Sequence, residues 1–267
     1  MRLDSITPMI LTFNEAENIA RVVNALSWAK SILVIDSFST DATLSILATD
    51  PRVRVLQRAF DTAANQGNFG LSHVETEWVL SMDADYVCTE ALSSEIAELP
   101  ETGDLQGYSI PFRYCIGGRP LRRALYPPRT SLYRRSRARY IDDGHTQRVV
   151  IDGAVGTLKG YMYHDDRKPL DRWLNSQRRY ADREALKLST AKGRLRLTDR
   201  LRKARWIAPL IMPFYCLLGR GLLLDGRAGL FYSMQRTYAE VLLSLRLLDL
   251  ELDPELARNE QKTTART

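Results

Sequence analysis

Three features of this 267-residue chain predict an α/β fold around a parallel sheet: short apolar runs, helical patterns alternating with them, and acidic residues at the exits of the runs. The first run, Pro8 to Thr12, enters Phe13-Asn14-Glu15-Ala16-Glu17. Asn14 and Glu17 have capping-box spacing, and Ile19, Val22, Val23 and Leu26 share one face, which together predict a helix through Trp28. The second run, Ile32 to Ile35, ends in Asp36-Ser37-Phe38-Ser39-Thr40-Asp41 and predicts a helix over Ala42 to Ala48. A third strand, Val53 to Leu56, precedes the segment Asn65 to Ser72, and a fourth, Trp78 to Met82, runs into Asp83-Ala84-Asp85. Ligands of such sheets bind beyond the carboxyl ends of the strands. Glu15, Asp36, Asp83 and Asp85 are therefore expected on one edge.

Further along, Thr130 to Arg134 reads as a strand, followed by an arginine-rich connection, Asp142-Asp143-Gly144-His145, and another apolar strand at Val149 to Ile151. His164 follows Tyr161-Met162-Tyr163 at a further strand end. Lys168-Pro169 is the expected boundary between a domain of residues 1–168 and a mostly helical region of residues 169–267. Helices are expected over Leu170 to Lys187 and Leu230 to Leu248, with a turn at Asp225-Gly226-Arg227-Ala228-Gly229 and a polar tail from Asn259.

The Asp83/Asp85 pair offers hard oxygen ligands suited to magnesium or manganese, an ion that one or two carboxylates hold together with phosphate oxygens. An isolated Asp-x-Asp is as readily a solvated turn. The acids at the two earlier strand exits give the pair its weight.

Thr12-Phe13-Asn14-Glu15, Asp36 to Asp41, Asn68-Phe69-Gly70-Leu71 and Asp83-Ala84-Asp85 together resemble a family 2 glycosyltransferase of the GT-A fold, most closely the lipopolysaccharide-core glucosyltransferase type. The resemblance implies a Rossmann-like nucleotide-diphospho-sugar transferase domain with a helical carboxyl-terminal extension. It implies that Thr12, Asn14, Glu15, Asp36, Asp41, Asn68 and Asp83 serve the nucleotide sugar, a UDP-sugar, and that Asp85 and His164 hold Mg2+ or Mn2+. Inverting transfer to a glycan or lipid-linked acceptor needs a base for the acceptor proton, and Asp142, Asp143 and His145 are the candidates. Two positions depart from the pattern: Gly67 stands where related sequences are often basic, and Tyr86 where an acid often follows the pair.

The net charge of +6 is unevenly distributed. Residues 1–110 carry 6 Lys+Arg against 16 Asp+Glu, whereas residues 111–205 carry 25 against 9. An excess of that size calls for an anionic partner. Residues 192–206 interleave cations with Leu195, Leu197 and Leu201 and lead into the apolar run Trp206 to Leu218, interrupted by Pro209 and Pro213. The run is shorter than the ~20 residues that span a bilayer, so peripheral contact with an anionic membrane is expected. No secretory leader is visible, which places the expected location in the cytoplasm, on the inner face of the membrane. Cys88, Cys115 and Cys216 lie too far apart for a metal motif and read as reduced thiols. Two other classes compete. A haloacid-dehalogenase-type phosphohydrolase would want its Asp pair after the first strand, and a lipid or RNA binder would leave the acids unexplained; no aromatic RNA-binding signature is present, and no nucleic-acid partner is expected.

Overall fold

The structure is a computed structural model that describes residues 1–123, 125–143, 146–190 and 197–253. Its internal contacts form two compact units, Met1–Pro120 with Ala124–Arg167, and Leu121–Arg123 with Lys168–Thr267.

The first unit begins with β1 (Ile6–Thr12), α1 (Ile19–Asn24), β2 (Ile32–Asp36), α2 (Thr43–Leu47), β3 (Val53–Gln57), α3 (Ala63–His73) and β4 (Trp78–Asp83). It continues through β5 (Tyr86–Cys88), α4 (Glu90–Glu98), β6 (Leu105–Ile110), β7 (Phe112–Ile116), β8 (Arg119–Pro120) and β9 (Arg129–Arg134). The hairpin β10 (Ala138–Asp143) and β11 (Thr146–Ile151), then β12 (Ala154–Thr157) and β13 (Met162–His164), complete it. Seven strands form one sheet in the order β12-β6-β9-β4-β1-β2-β3, and β5-β13-β7-β8 form a smaller one. β1 is parallel to both β2 and β4, with Thr12 opposite Asp36 and Leu11 opposite Asp83. β9 runs antiparallel to β4 and β6.

Both faces of the large sheet are covered, which is why its central strands are apolar throughout instead of alternating. Ile6, Ile10, Val34 and Leu80 pack with Val22 and Leu26, and with Leu92 and Ile96 of α4. Met9, Leu33, Ile35 and Val79 pack on the opposite side with Ala64 and Leu71 of α3 and with Tyr133 and Tyr140. Helix α3 lies so close that a Cβ on Gly70 would come within 2.6 Å of the Met9 sulfur.

Helix α1 starts four residues later than the capping-box spacing predicts, with Asn18 and not Asn14 at its N-cap. Asn14 adopts a left-handed backbone, φ 54°, and its side chain bonds to the neighbouring loop instead of capping. A long-range contact has displaced a local one.

The second unit contains α5 (Leu170–Thr190), α6 (Leu197–Lys203), α7 (Ile207–Phe214) and α8 (Gly226–Leu252). Ala185 and Leu188 of α5 pack on Leu243, Leu247 and Leu250 of α8. Buried Glu240 of α8 pairs with Arg202 at 2.7 Å. The expected turn over Asp225 to Gly229 is in fact the first turn of α8 after Asp225. Gly229 permits this, because a Cβ there would overlap the Leu222 carbonyl oxygen. Neither proline breaks α7: Pro209 falls in its first turn, where the missing N–H has no helical partner, and Pro213 precedes a π-helical turn over Tyr215–Gly219. Residues 192–196, His145 and the tail from Asn259 lie outside the described residues.

Candidate active site

The loops after β1 and β2 are stitched to each other. Asn14 Oδ1 accepts the Thr40 and Asp41 amides at 2.7 and 3.3 Å, while its own N–H donates to Ser39 Oγ at 2.8 Å. Asp41 accepts from the Ala16 amide at 3.1 Å and from the Thr43 amide and hydroxyl at 3.0 and 2.5 Å. The Glu15 amide donates to Thr43 Oγ1 at 2.7 Å. Beneath them Asp36 is 0 % exposed. Its carboxylate accepts the Ser39 amide at 2.9 Å, the Ser39 hydroxyl at 2.5 Å and the Gln57 amide side chain at 3.0 Å. In this arrangement Asp36 reaches a ligand only through the loop it holds. Thr12 Oγ1, in register with Asp36, is buried without a hydrogen-bond partner. The stitched loops also hold two exposed rings, Phe13 and Phe38, and Phe38 has a left-handed backbone, φ 62°. For a bulky residue that conformation costs roughly 1–2 kcal/mol, a strain often found where a side chain is presented to a ligand.

The acids at the end of β4 are differently placed. The Asp83 side chain is 43 % exposed, stands 3.7 Å from the Arg129 guanidinium, and faces a cavity of about 280 Å³ lined also by Tyr86, Tyr140 and Arg148. Two residues on, Asp85 Oδ2 meets His164 Nε2 at 3.1 Å, because β13 pairs with β5 just beyond the Asp pair. His164 Nδ1 is buried without a hydrogen-bond partner, and its ring is enclosed by Tyr86, Tyr114 and Tyr126 at centroid distances of 5.1, 4.7 and 4.9 Å. Burial pulls the His164 pKa down, but the Asp85, Asp83 and Asp166 carboxylates outweigh it and hold the imidazole above its ordinary value. Tyr86, at the position where an acid is often found, accepts a hydrogen bond from Arg129 at 3.0 Å and packs on His164.

Among the described residues no three His, Cys, Asp or Glu side chains converge into a preformed metal cage. Asp85 and His164 nonetheless fit a divalent ion, a carboxylate oxygen and an imidazole nitrogen converging within 3.1 Å on one edge of the sheet. Such an ion completes its shell with phosphate and water.

Asn68 has a different position from the one expected of a nucleotide contact. Its amide accepts the Tyr140 N–H at 2.9 Å and donates to the Tyr140 carbonyl at 3.0 Å, clamping β10 onto α3. Gly67 makes room for this, since a Cβ there would lie 2.6 Å from the Tyr140 ring. The Tyr140 hydroxyl bonds Ser81 Oγ and the Tyr133 hydroxyl, each at 2.6 Å. The clamp fixes the hairpin at whose end Asp142 and Asp143 pair with Gln147 and Thr146.

Sequence reasoning passed over several residues that shape this edge. Wholly buried Asn18 donates to Glu15 at 2.9 Å and Asp166 at 3.1 Å, and accepts from Arg21 and the Arg167 amide at 2.9 and 3.0 Å. It ties the β1 loop to the segment following His164. Buried Gln66 donates to Ser37 Oγ at 2.7 Å and to the Arg58 carbonyl at 3.0 Å, joining the loops after β2 and β3. Uncharged amides leave no spacing signature; their recurrence just after strand exits is the only trace.

Residues 9–168 match the model of the family described as Glycosyl transferase family 2. An uncharacterized glycosyltransferase of Rickettsia felis is 33 % identical over 95 residues, 35 % of this chain and 33 % of that protein. Uncharacterized glycosyltransferase RP128 of Rickettsia prowazekii is 25 % identical over 198 residues, 68 % of either chain. Lipopolysaccharide core biosynthesis glycosyltransferase LpsC of Rhizobium meliloti is 24 % identical over 189 residues, 67 % of this chain and 70 % of LpsC. The chain spans about a third of the length of the Rickettsia felis and Rickettsia bellii relatives that it matches. The crystal structure of S. aureus TarS 1-349 in complex with UDP-GlcNAc superposes with a TM-score of 0.48 at 15 % identity, over 88 % of this chain and 81 % of that one.

Proposed function

This chain belongs to glycosyl transferase family 2, and from that premise we propose that it moves a sugar from a nucleoside-diphosphate donor, a UDP-sugar, to a hydroxyl of a membrane-presented glycan or lipid. The observation that carries the reading is the Asp85–His164 pair, with half-exposed Asp83 two residues before it, at the end of the strand beside the stitched β1 and β2 loops. Asp85 and His164 would hold a divalent ion, which would supply charge neutralisation for the departing diphosphate. The chain's own groups do the rest. Phe13 and Phe38 offer apolar faces for the nucleobase, Thr12 and Glu15 stand at the same strand exit, and Asp83 faces a cavity large enough for a sugar ring. A base among Asp142, Asp143 and His145 takes the acceptor proton as the sugar transfers with inversion. The likeness to LpsC favours a lipopolysaccharide core acceptor, met at the cytoplasmic face of the membrane.

A phosphohydrolase reading loses its footing, because the Asp pair ends the fourth strand in sequence instead of the first. A thermal-shift screen of nucleoside-diphosphate sugars with and without manganese tests the proposal. One donor raising the melting temperature only with metal supports it; indifference to every donor overturns it.

A further inference from the structure

The helical unit exposes an unusual amount of apolar surface at one corner. Trp206, Phe214, Leu218, Leu223 and Leu224 are each between 62 and 69 % exposed, on α7, the π turn after it and the turn Leu222–Asp225 that leads into α8. Leu210, Ile211, Leu230 and Met234 extend the surface along both helices. Single exposed leucines need no explanation, whereas a continuous set of this kind marks an interaction surface.

The charges around the corner identify the partner. From Ala204 to Ala239 the chain carries four arginines, Arg205, Arg220, Arg227 and Arg236, of which Arg205 is paired with Glu251, and one acid, Asp225. That acid is withdrawn from the surface: its side chain is 8 % exposed, and the Arg122 amide and guanidinium bind it at 3.1 and 3.4 Å. An apolar face bordered by cations, its one acid neutralised, is complementary to a bilayer with anionic headgroups. A protein partner recognised by its charge would need no such large leucine and tryptophan surface, and a second copy would set arginine against arginine.

The depth of contact follows from the geometry. No single helix among the described residues is long and apolar enough to cross a membrane; Ile207–Gly219 and Leu222–Leu252 pass that test only as a pair, across a 72° bend. The first arm is about 20 Å long at 1.5 Å per residue, short of a hydrocarbon core of about 30 Å. We propose that the α7–α8 corner dips into one leaflet of an anionic bilayer, with Trp206 at the headgroup level and exposed Arg227 on the phosphates. This deepens the reading of a membrane-presented acceptor by naming the surface that meets the lipid, and its test involves no sugar transfer.

Flotation of the full-length protein with vesicles of phosphatidylcholine, alone or mixed with phosphatidylglycerol, is the experiment. The protein floats with the anionic vesicles at about 0.1 M salt, partly detaches at about 1 M, and stays down with the neutral ones. Arg227→Gln lowers the bound-to-free ratio about fivefold, the worth of one cation near the surface. Leu223→Asp with Leu224→Asp abolishes flotation at an unchanged melting temperature. Brominated lipid quenches tryptophan emission in the wild type and not in Trp206→Phe. Flotation that survives the double aspartate change, or binds neutral vesicles equally well, overturns the proposal. So does a lipid-free dimer that the same change dissociates, because a second copy then covers the face.

Discussion

Asp36 and Asp83 end the two strands that flank β1, yet one carboxylate is fully enclosed and the other is 43 % exposed. Asp36 holds Ser39 and Gln57 and so builds the loop above it. Asp83 faces a cavity and stands 3.7 Å from the Arg129 guanidinium. Two acids with the same position relative to a strand thus have opposite surroundings: one shapes the edge from within and the other lies open to a cavity. What decides between them is the supply of donors from neighbouring loops, which is generous at β2 and sparse at β4.

The strongest way to break this contrast is to truncate both. Asp36→Ala removes the buried acceptor that holds the Ser39 amide and hydroxyl and the Gln57 side chain, which costs on the order of 3 kcal/mol in urea unfolding. Asp83→Ala stays within about 0.5 kcal/mol of wild type and abolishes transfer. Equal stability losses would mean that the two acids are alike. The Asn68 clamp sharpens the contrast on the other side of the site. Asn68→Ala orphans the Tyr140 N–H and carbonyl at a cost of about 2 kcal/mol, and it lowers turnover while calorimetric affinity for the donor stays unchanged. A loss of donor affinity alone would return Asn68 to the nucleotide.

Phe38 gives a smaller effect with a distinctive sign. Phe38→Gly relieves the left-handed backbone and raises stability by roughly 1 kcal/mol. The same change weakens nucleotide binding about tenfold, within the range of one base–aromatic stack. Stability and affinity moving in the same direction would rule out the stacking role. The smallest expected effect belongs to Tyr140→Phe, which removes the hydroxyl shared with Ser81 and Tyr133 and costs about 1 kcal/mol in thermal unfolding.

Much of the fold was readable in advance because apolar runs and their spacing determine it. β1 to β4 and α5 fall within a few residues of the segments that the pattern predicts. The departures occur where distant residues prevail over local ones. Asn14 has capping-box spacing, but Thr40 and Asp41 claim its side chain. Asp225 to Gly229 reads as a turn until the close approach of Gly229 to Leu222 is seen. At the site, acids and histidines were visible because their types are chemically conspicuous. The amides Asn18, Gln57 and Gln66, which set the loops, were not, since nothing in their own neighbourhood announces partners many residues away. Gly67 and Tyr86, departures from the family pattern, acquire reasons only in three dimensions: one admits the Tyr140 ring, and the other packs on His164 and accepts from Arg129.

In the proposed function Asp85 and His164 would hold an ion whose shell only the nucleotide completes. Titration calorimetry of uridine diphosphate into the wild type and Asp85→Ala, each with and without manganese, tests it most directly. The expected result is weak binding of manganese alone, tight binding of the nucleotide to wild type only with manganese present, and no effect of manganese in Asp85→Ala despite an unchanged melting temperature. Equal manganese-supported affinity in the two proteins would contradict it.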